Sequence, residues 1–305
     1  MKKVGILVGK ERSFPQGLIH RVAERDAGVM VEWVKLGGTA LDDVCEYSVI
    51  VDRISHEVPY YADYLKHAYS QGVHVINNPF RRAAEDKFNA NYMAQQLGVA
   101  VPKTVVLPNK EYILDIVAES LSNLKFPVDW QGIADYVGMP AVLKPASGGG
   151  WKSVSIVHNV DELITAYNRS GQLTMIVQEF IEWQHYLRCL CVGQEKVMPI
   201  AWNPNVPHHQ RYSQNPGLLS PELGQLVIDQ ALALSRGLGY DMNTVEFAIS
   251  DGVPVAIDFT NAAPDFDVAS LGEWHFNWVL DAMADYVIQQ AHAAPFPRGK
   301  GYGEG

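Results

Sequence analysis

The chain has 305 residues, 48% of them hydrophobic, a formal charge of −10 and a sequence pI near 5.4. That length buries a substantial core and, at roughly 150 residues per domain, predicts about two domains. The acidity argues against a nonspecific nucleic-acid binder, which needs a concentrated basic face. No run reaches the ~18 apolar residues of a membrane span, and the segment after Met1-Lys2-Lys3 is too short for a signal-peptide core. Residence in the cytoplasm, with no membrane partner, is expected. Three cysteines make no disulfide framework; Cys189 and Cys191 are read as pointing to opposite faces of a strand, a poor metal pair, and as buried reduced thiols.

Strand and helix alternate through the first third. Apolar runs predict strands over 4–8, 30–35, 48–54 and 73–76, with helices over 17–27 and 60–69. This is the pattern of a small parallel sheet with helices on both faces. A longer helix is expected over 83–97, closed by Gly98 and Pro102, with Asp86-Lys87 in its first turns. A lysine there opposes the helix dipole slightly. Residues 112–137 read as helical in parts, interrupted by Pro127.

Next comes P-A-V-L-K-P-A-S-G-G-G-W-K-S-V over 140–154, a short strand ending on Lys144 and a glycine-rich loop carrying Lys152. Consecutive glycines allow backbone N–H groups close to a ligand, and two lysines can bracket a polyphosphate; a surface turn with solvated lysines is the plainer alternative. Trp151 stands where a P-loop needs glycine, and no G-x-G-x-x-G follows the first strand, which disfavours both common phosphate-binding folds.

A helix over 161–168 and a strand over 174–181 follow, then strands over 186–192 and 196–201 joined at Gly193-Gln194. Residues 202–217 read as a long loop holding His208, His209, Arg211 and Tyr212, and 222–238 as an amphipathic helix ended by Gly239. Strands over 244–249 and 254–260 form a hairpin around Asp251-Gly252. Glu246 and Asp258 lie on these two apolar strands, and buried acids ask for a partner or a cation. A three- or five-residue loop sets both acids on one face, and a two-residue loop sends them to different faces. The odd loop is favoured. Asn261 adds a neutral oxygen ligand suited to Mg²⁺. Arg211 suits a substrate carboxylate; Asp265 and Asp267 read first as solvated loop acids, with a substrate ammonium as the alternative. The Gly- and Pro-rich 295–305 tail is expected to be disordered.

Asp86-Lys87, P-A-V-L-K with its glycine loop, V-Q-E-F-I, V-E-F-A-I and A-I-D-F-T-N-A-A-P occur in an order that resembles the ATP-grasp superfamily. The closest resemblance is to its ribosomal-protein glutamate ligases, glutathione synthetases and D-alanine ligases, and it extends from Lys3 to about Gln290. It implies an α/β (α+β) ATP-grasp fold: an N-terminal parallel-sheet domain over 1–82, a small lid subdomain over 83–180, a C-terminal subdomain with the metal site over 181–292 and a flexible tail over 293–305. The implied activity is an ADP-forming, ATP-dependent carboxylate–amine ligase acting through an acyl phosphate, with a noncatalytic ATP-binding module or a hydroxyl-directed phosphotransferase as alternatives. Its cofactors are ATP and two Mg²⁺ ions, with Mn²⁺ as a substitute. Its partners are ATP and an amino-acid or peptide-like carboxylate and amine; most of these relatives associate, so a homo-oligomer is compatible with the resemblance, but the sequence does not fix the oligomeric state.

By the same resemblance, Lys87 and Lys144 contact the α- and β-phosphates, and Ser147, Gly148, Gly149, Gly150 and Lys152 belong to the loop that closes over them. Gln178, Glu179, Phe180 and Ile181 form the hinge that reads adenine. His185 is the candidate for the ribose. Glu246, Asp258 and Asn261 match the metal ligands, although the spacing of the last two leaves Thr260 as a competitor. Arg188 sits near the reacting phosphate, with Arg211 and Lys152 completing the catalytic set.

Overall fold

The computed structural model describes residues 1–83, 86–148, 153–203, 206, 211–213 and 219–293. The chain divides into two compact units, one from Met1–Ala84, Tyr186–Phe247 and Phe259–Gly305, the other from Glu85–His185 and Ala248–Asp258. Among the described residues no helix is long and apolar enough to cross a membrane.

The first unit opens with β1 (Lys2–Leu7), α1 (Ser13–Glu24), β2 (Val29–Trp33), β3 (Val49–Asp52), α2 (Pro59–Ser70), β4 (His74–Ile76) and α3 (Pro79–Ala83). The strands are parallel in the order β2-β1-β3-β4. Continuous apolar runs such as Val49-Ile50-Val51, fully buried, are what a sheet covered on both faces requires. Helix α1 begins at Ser13 rather than at Gly17. Pro15 falls in its first turn, where its missing N–H forfeits no helical bond. That earlier start buries Phe14 edge-on against Phe266, ring centroids 5.2 Å apart. Arg53 stacks over both rings and grips Glu11 bidentately at 2.7 and 2.8 Å.

Just past β4, Asn77 is 1% exposed. Its Nδ2 donates to Met242 O and Ala262 O, and its Oδ1 accepts from the N–H groups of Asp241 and Met242. One side chain thus satisfies backbone groups of two distant segments.

The second unit starts with α4 (Lys87–Gln96). The single helix expected over 83–97 is cut short because Asp86 adopts extended backbone (φ −137°, ψ 157°) and accepts from Asn89 N–H as an N-cap. After it come β5 (Thr104–Val106), a 3₁₀ turn at Ala118–Leu121, α5 (Trp130–Val137), β6 (Ala141–Pro145), β7 (Ser155–Val157), α6 (Val160–Tyr167) and β8 (Met175–Glu179). Apart from β5–β8 and β6–β8, the β6–β7 pairing completes the antiparallel order β5-β8-β6-β7. Ala141, Leu143, Met175 and Val177 face one way and form a core with Leu163 and Val137 of the helices.

The chain then runs through β9 (His185–Val192), β10 (Lys196–Trp202), β11 (Tyr212–Ser213), α7 (Pro221–Leu238), β12 (Met242–Ser250), β13 (Val253–Asp258) and α8 (Val268–His292). Sheet order is β11-β10-β9-β12-β13. Trp202 belongs to a strand rather than to the expected loop, and Tyr212–Ser213 pairs with Ala201 and Trp202. Cys189 and Cys191, two apart on β9, share one face instead of opposing faces. Both are buried, and burial pushes the Cys191 thiol up to about 12.

The β12–β13 turn corrects another expectation. Ser250 and Val253 end the strands, so the loop is the two residues Asp251 and Gly252, both at positive φ (49° and 79°). Asp-Gly suits that mirror-image turn, whose twist matches the strands. The parity argument that put Glu246 and Asp258 on one face therefore loses its premise.

Helix α8 packs on α1 through Arg21 and Arg25, which bridge to Asp281, while Arg25 and Lys196 reach Asp285. Burial raises the Asp281 carboxyl, but hydrogen bonds from Arg21 and Arg25 outweigh it and hold the group below its ordinary value. A depressed folded pKa contributes stability above the unfolded value and loses it as pH falls through the folded one. Asp281 is 44% exposed, so solvent screens the pair. Asp281→Asn is expected to cost roughly 0.5–1 kcal/mol at pH 7 in urea melts, the difference closing below about pH 4. An undiminished difference at pH 3 excludes the ion pair as its cause.

Candidate functional site

In the second unit, β6 and β8 determine what faces the site. Their register sets Val142 opposite Gln178 and Lys144 opposite Ile176; by the two-residue period, Val142 and Lys144 share the face turned away from the helix-covered core. Lys144 Nζ donates to Ile257 O at 3.4 Å, so the lysine reaches the residue that precedes Asp258. Lys87 is the first residue of α4. Its N–H donates to Ala146 O at 2.9 Å and its Nζ to Gly148 O, which gathers Lys87 and the start of the glycine loop at the end of β6. The capping carboxylate of Asp86 supplies the negative charge that a lysine at a helix start otherwise lacks. Ser147 and Gly148 are exposed, and Gly148 has φ 89°. Gly149, Gly150 and Lys152 lie outside the described residues.

Gln178 is 3% exposed and its amide donates to Thr104 Oγ1 at 2.9 Å. Glu179 pairs with Lys103, accepting its N–H on Oε2 while donating its own N–H to Lys103 O. Phe180 and Ile181 are half-buried in the segment after β8, and His185 opens β9. The side-chain carboxylate of Asp258, half-buried at the end of β13, makes no hydrogen bond or ion pair with any other described residue.

In the first unit, one sheet face carries the remaining candidates. Tyr186 and Arg188 alternate on β9, Thr244 and Glu246 on β12, and Trp202 stands opposite Tyr212 across β10 and β11. Arg188 donates to Tyr212 OH at 2.6 Å and to Thr244 Oγ1 at 3.3 Å, with its Nε 3.9 Å from Glu246. Tyr186 OH donates to Glu246 Oε2 at 3.0 Å. Desolvation pushes the Tyr212 phenol up to about 12, against the opposing pull of Arg188, so it meets the guanidinium as a neutral acceptor.

Asn261 Nδ2 donates to Thr244 Oγ1 at 2.8 Å and its N–H to Asn243 Oδ1. The amide is thereby oriented and Oδ1 is left as an acceptor. Arg211 lies over Trp202, 5.5 Å from the ring centroid, and its Nε donates to Val206 O.

Asp265 and Asp267 are engaged in capping α8: Asp267 accepts from Ala269 N–H and Ser13, and Asp265 from Asp267 N–H and Ser270. They are not poised for a substrate ammonium. His208 and His209 lie outside the described residues. Thr244 and Trp202 escaped the sequence reading. The alternation of Thr244 with Glu246 was the available signal, whereas Trp202 emerges only from strand register. Among the described residues no three His, Cys, Asp or Glu side chains cluster as a ready metal centre; the candidates are two acids and an amide.

A parallel N-terminal sheet followed by two antiparallel ones, with lysines and acids at strand ends, defines a mixed α/β protein. The ATP-grasp domain model matches residues 84–258, and the chain belongs to the ATP-grasp family.

The D-alanine--D-alanine ligase of Ralstonia pickettii is 24% identical over 184 residues, 54% of this chain and 55% of that protein; the chain spans about half the length of the curated relatives it matches. Among solved structures, a RimK domain protein ATP-grasp from Sphaerobacter thermophilus superposes with TM-score 0.67 at 19% identity, covering 93% of this chain and 98% of that one. The D-alanine--D-alanine ligase from Bacillus anthracis complexed with ATP gives 0.62 at 17%, covering 95% and 97%. At these identities the structural likeness speaks for the fold.

Proposed function

We propose that the chain is an ATP-dependent carboxylate–amine ligase. The observation that carries this reading is Asp258: a half-buried carboxylate without a partner among the described residues, one residue beyond the carbonyl that Lys144 bonds. An unpaired acid at that depth is costly, and a divalent cation bound to phosphates relieves it.

Lys87 and Lys144 bind the α- and β-phosphates of ATP as point charges, and the segment of Ser147, Gly148, Gly149, Gly150 and Lys152 covers them. The hinge of Glu179, Phe180 and Ile181 takes the adenine, with Gln178 supporting it from within, and His185 takes the ribose. By the family resemblance Glu246, Asp258 and Asn261 hold Mg²⁺; the two-residue turn withdraws a shared strand face as support for Glu246, and the orientation that Thr244 imposes on Asn261 favours it over Thr260. The bound cations neutralise charge on the phosphates. Arg188 faces the transferring phosphoryl group and Arg211 the substrate carboxylate.

The carboxylate oxygen attacks the γ-phosphorus, the bond to the β-phosphate oxygen breaks and ADP leaves. The amine nitrogen then attacks the acyl carbon and gives up a proton, and inorganic phosphate departs as the amide forms. No side-chain nucleophile is needed, so the protein contributes positioning and charge stabilisation.

The test is phosphate release from ATP and Mg²⁺ against pooled amino acids, small peptides and amines, with product masses recorded. A product lighter by one water than its two substrates supports the ligase. A phosphorylated product with no condensation moves the assignment to a phosphotransferase, and nucleotide binding without turnover to a binding module.

Asp258→Asn is expected to raise the Mg²⁺ concentration for half-maximal turnover by about tenfold to a hundredfold, the size of loss usual when a metal site is perturbed. An unchanged Mg²⁺ titration removes Asp258 from the metal set.

A further inference from the structure

Trp202 is 5% exposed, and its indole Nε1–H is buried without an acceptor among the described residues. An orphaned donor costs stability, so a purely packing role is better served by an apolar ring. What the indole contributes is its face. Arg211 lies 5.5 Å and Arg188 5.9 Å from its centroid, and Tyr186 packs at 5.3 Å. Indole is the aromatic side chain with the strongest attraction for a guanidinium. Register fixes the placement: Trp202 on β10 pairs with Tyr212 on β11, whose hydroxyl receives Arg188 from β9, the strand on the other side of β10.

The two guanidiniums are not equivalent. Arg188 is engaged by Tyr212 and Thr244. Arg211 spends Nε on Val206 O and meets no carboxylate among the described residues, which leaves its terminal fork for an oxyanion. A planar fork matches a carboxylate bidentately, provided it is held in one orientation.

We infer that Trp202 is a positioning residue: it holds Arg211 beside Arg188 so that the Arg211 fork receives the carboxylate of the acid substrate. The inference rests on the ligase reading above for the identity of the anion, but not for the positioning itself.

The experiment compares Trp202→Leu with Trp202→Phe in the full chain, using whichever acid the pooled screen identifies. Trp202→Leu is expected to raise KM for the acid about tenfold while KM for ATP moves less than about twofold, and Trp202→Phe, which keeps an aromatic face, to recover most of the loss. A second readout needs no turnover: the rate at which phenylglyoxal modifies Arg211, followed by peptide mass mapping. Freed from the ring, Arg211 is expected to react several-fold faster in Trp202→Leu than in Trp202→Phe.

Equal losses in both variants confined to kcat, or an unchanged modification rate, overturn the positioning role. If the wild type turns over no acid, the ligase reading falls and the phenylglyoxal rates alone decide the role of Trp202: faster reaction in Trp202→Leu upholds it and equal rates end it.

Discussion

Replacing Lys144 by alanine is expected to abolish ATP turnover, with ADP formation falling at least a hundredfold. Losing one preorganised donor at a transferring phosphoryl group costs on the order of 3 kcal/mol in the transition state. The structure adds a reason to expect the loss to be chemical rather than structural. Lys144 lies on the face of β6 away from the Leu143 core, so its removal opens no hole among the buried apolar side chains. Melting should therefore change little. Lys144→Arg keeps the charge but presents a fork in place of a compact ammonium, so partial recovery at most is expected. Near-normal ATP consumption by the alanine variant would falsify the phosphate-binding assignment.

Asn77→Ala is expected to produce the largest loss of stability. It strips partners from two carbonyls and two N–H groups at once, on Asp241, Met242 and Ala262. Each buried group left unpaired costs about 1–3 kcal/mol, and partial relaxation brings the sum to roughly 3–5 kcal/mol. Thermal melts should shift down by about 5–10 °C. Asn77→Asp keeps both acceptor bonds but removes the donors and buries a charge, so it should fare no better. A shift of under 1 °C for alanine means that these contacts contribute nothing net.

The parallel sheet was legible because runs such as Val49-Ile50-Val51 are apolar on both faces and bounded by polar turns. Helix α4 was legible in place but not in extent: Asp86 is as good a cap as it is a first-turn acid, and only its extended backbone distinguishes the two. Strands β5 and β7, three residues each, are too short for a two-residue period to register. Helix α8 was missed because Gly272, at φ 71°, breaks its first turns and its buried residues go nearly all round.

The candidate site was legible where a charge sits in an apolar run, as with Lys144, Glu246 and Asp258. Trp202 was not, since its surroundings depend on pairings between strands that no local pattern encodes. The odd hairpin loop is excluded by turn chemistry: Asp251-Gly252, both at positive φ, closes a two-residue turn whatever the charges farther along the strands.

The two units are interleaved along the chain: it passes between them after Ala84, His185, Phe247 and Asp258. A gene segment encoding 85–185 would therefore omit the hairpin whose Ala256 N–H bonds Ala100 O and whose Ile257 carbonyl receives Lys144. Neither unit is a transplantable cassette. A peptide linker from residue 185 to residue 248 would restore the missing strand, and so the minimal excisable form of the lysine-bearing unit is a two-segment splice rather than a truncation.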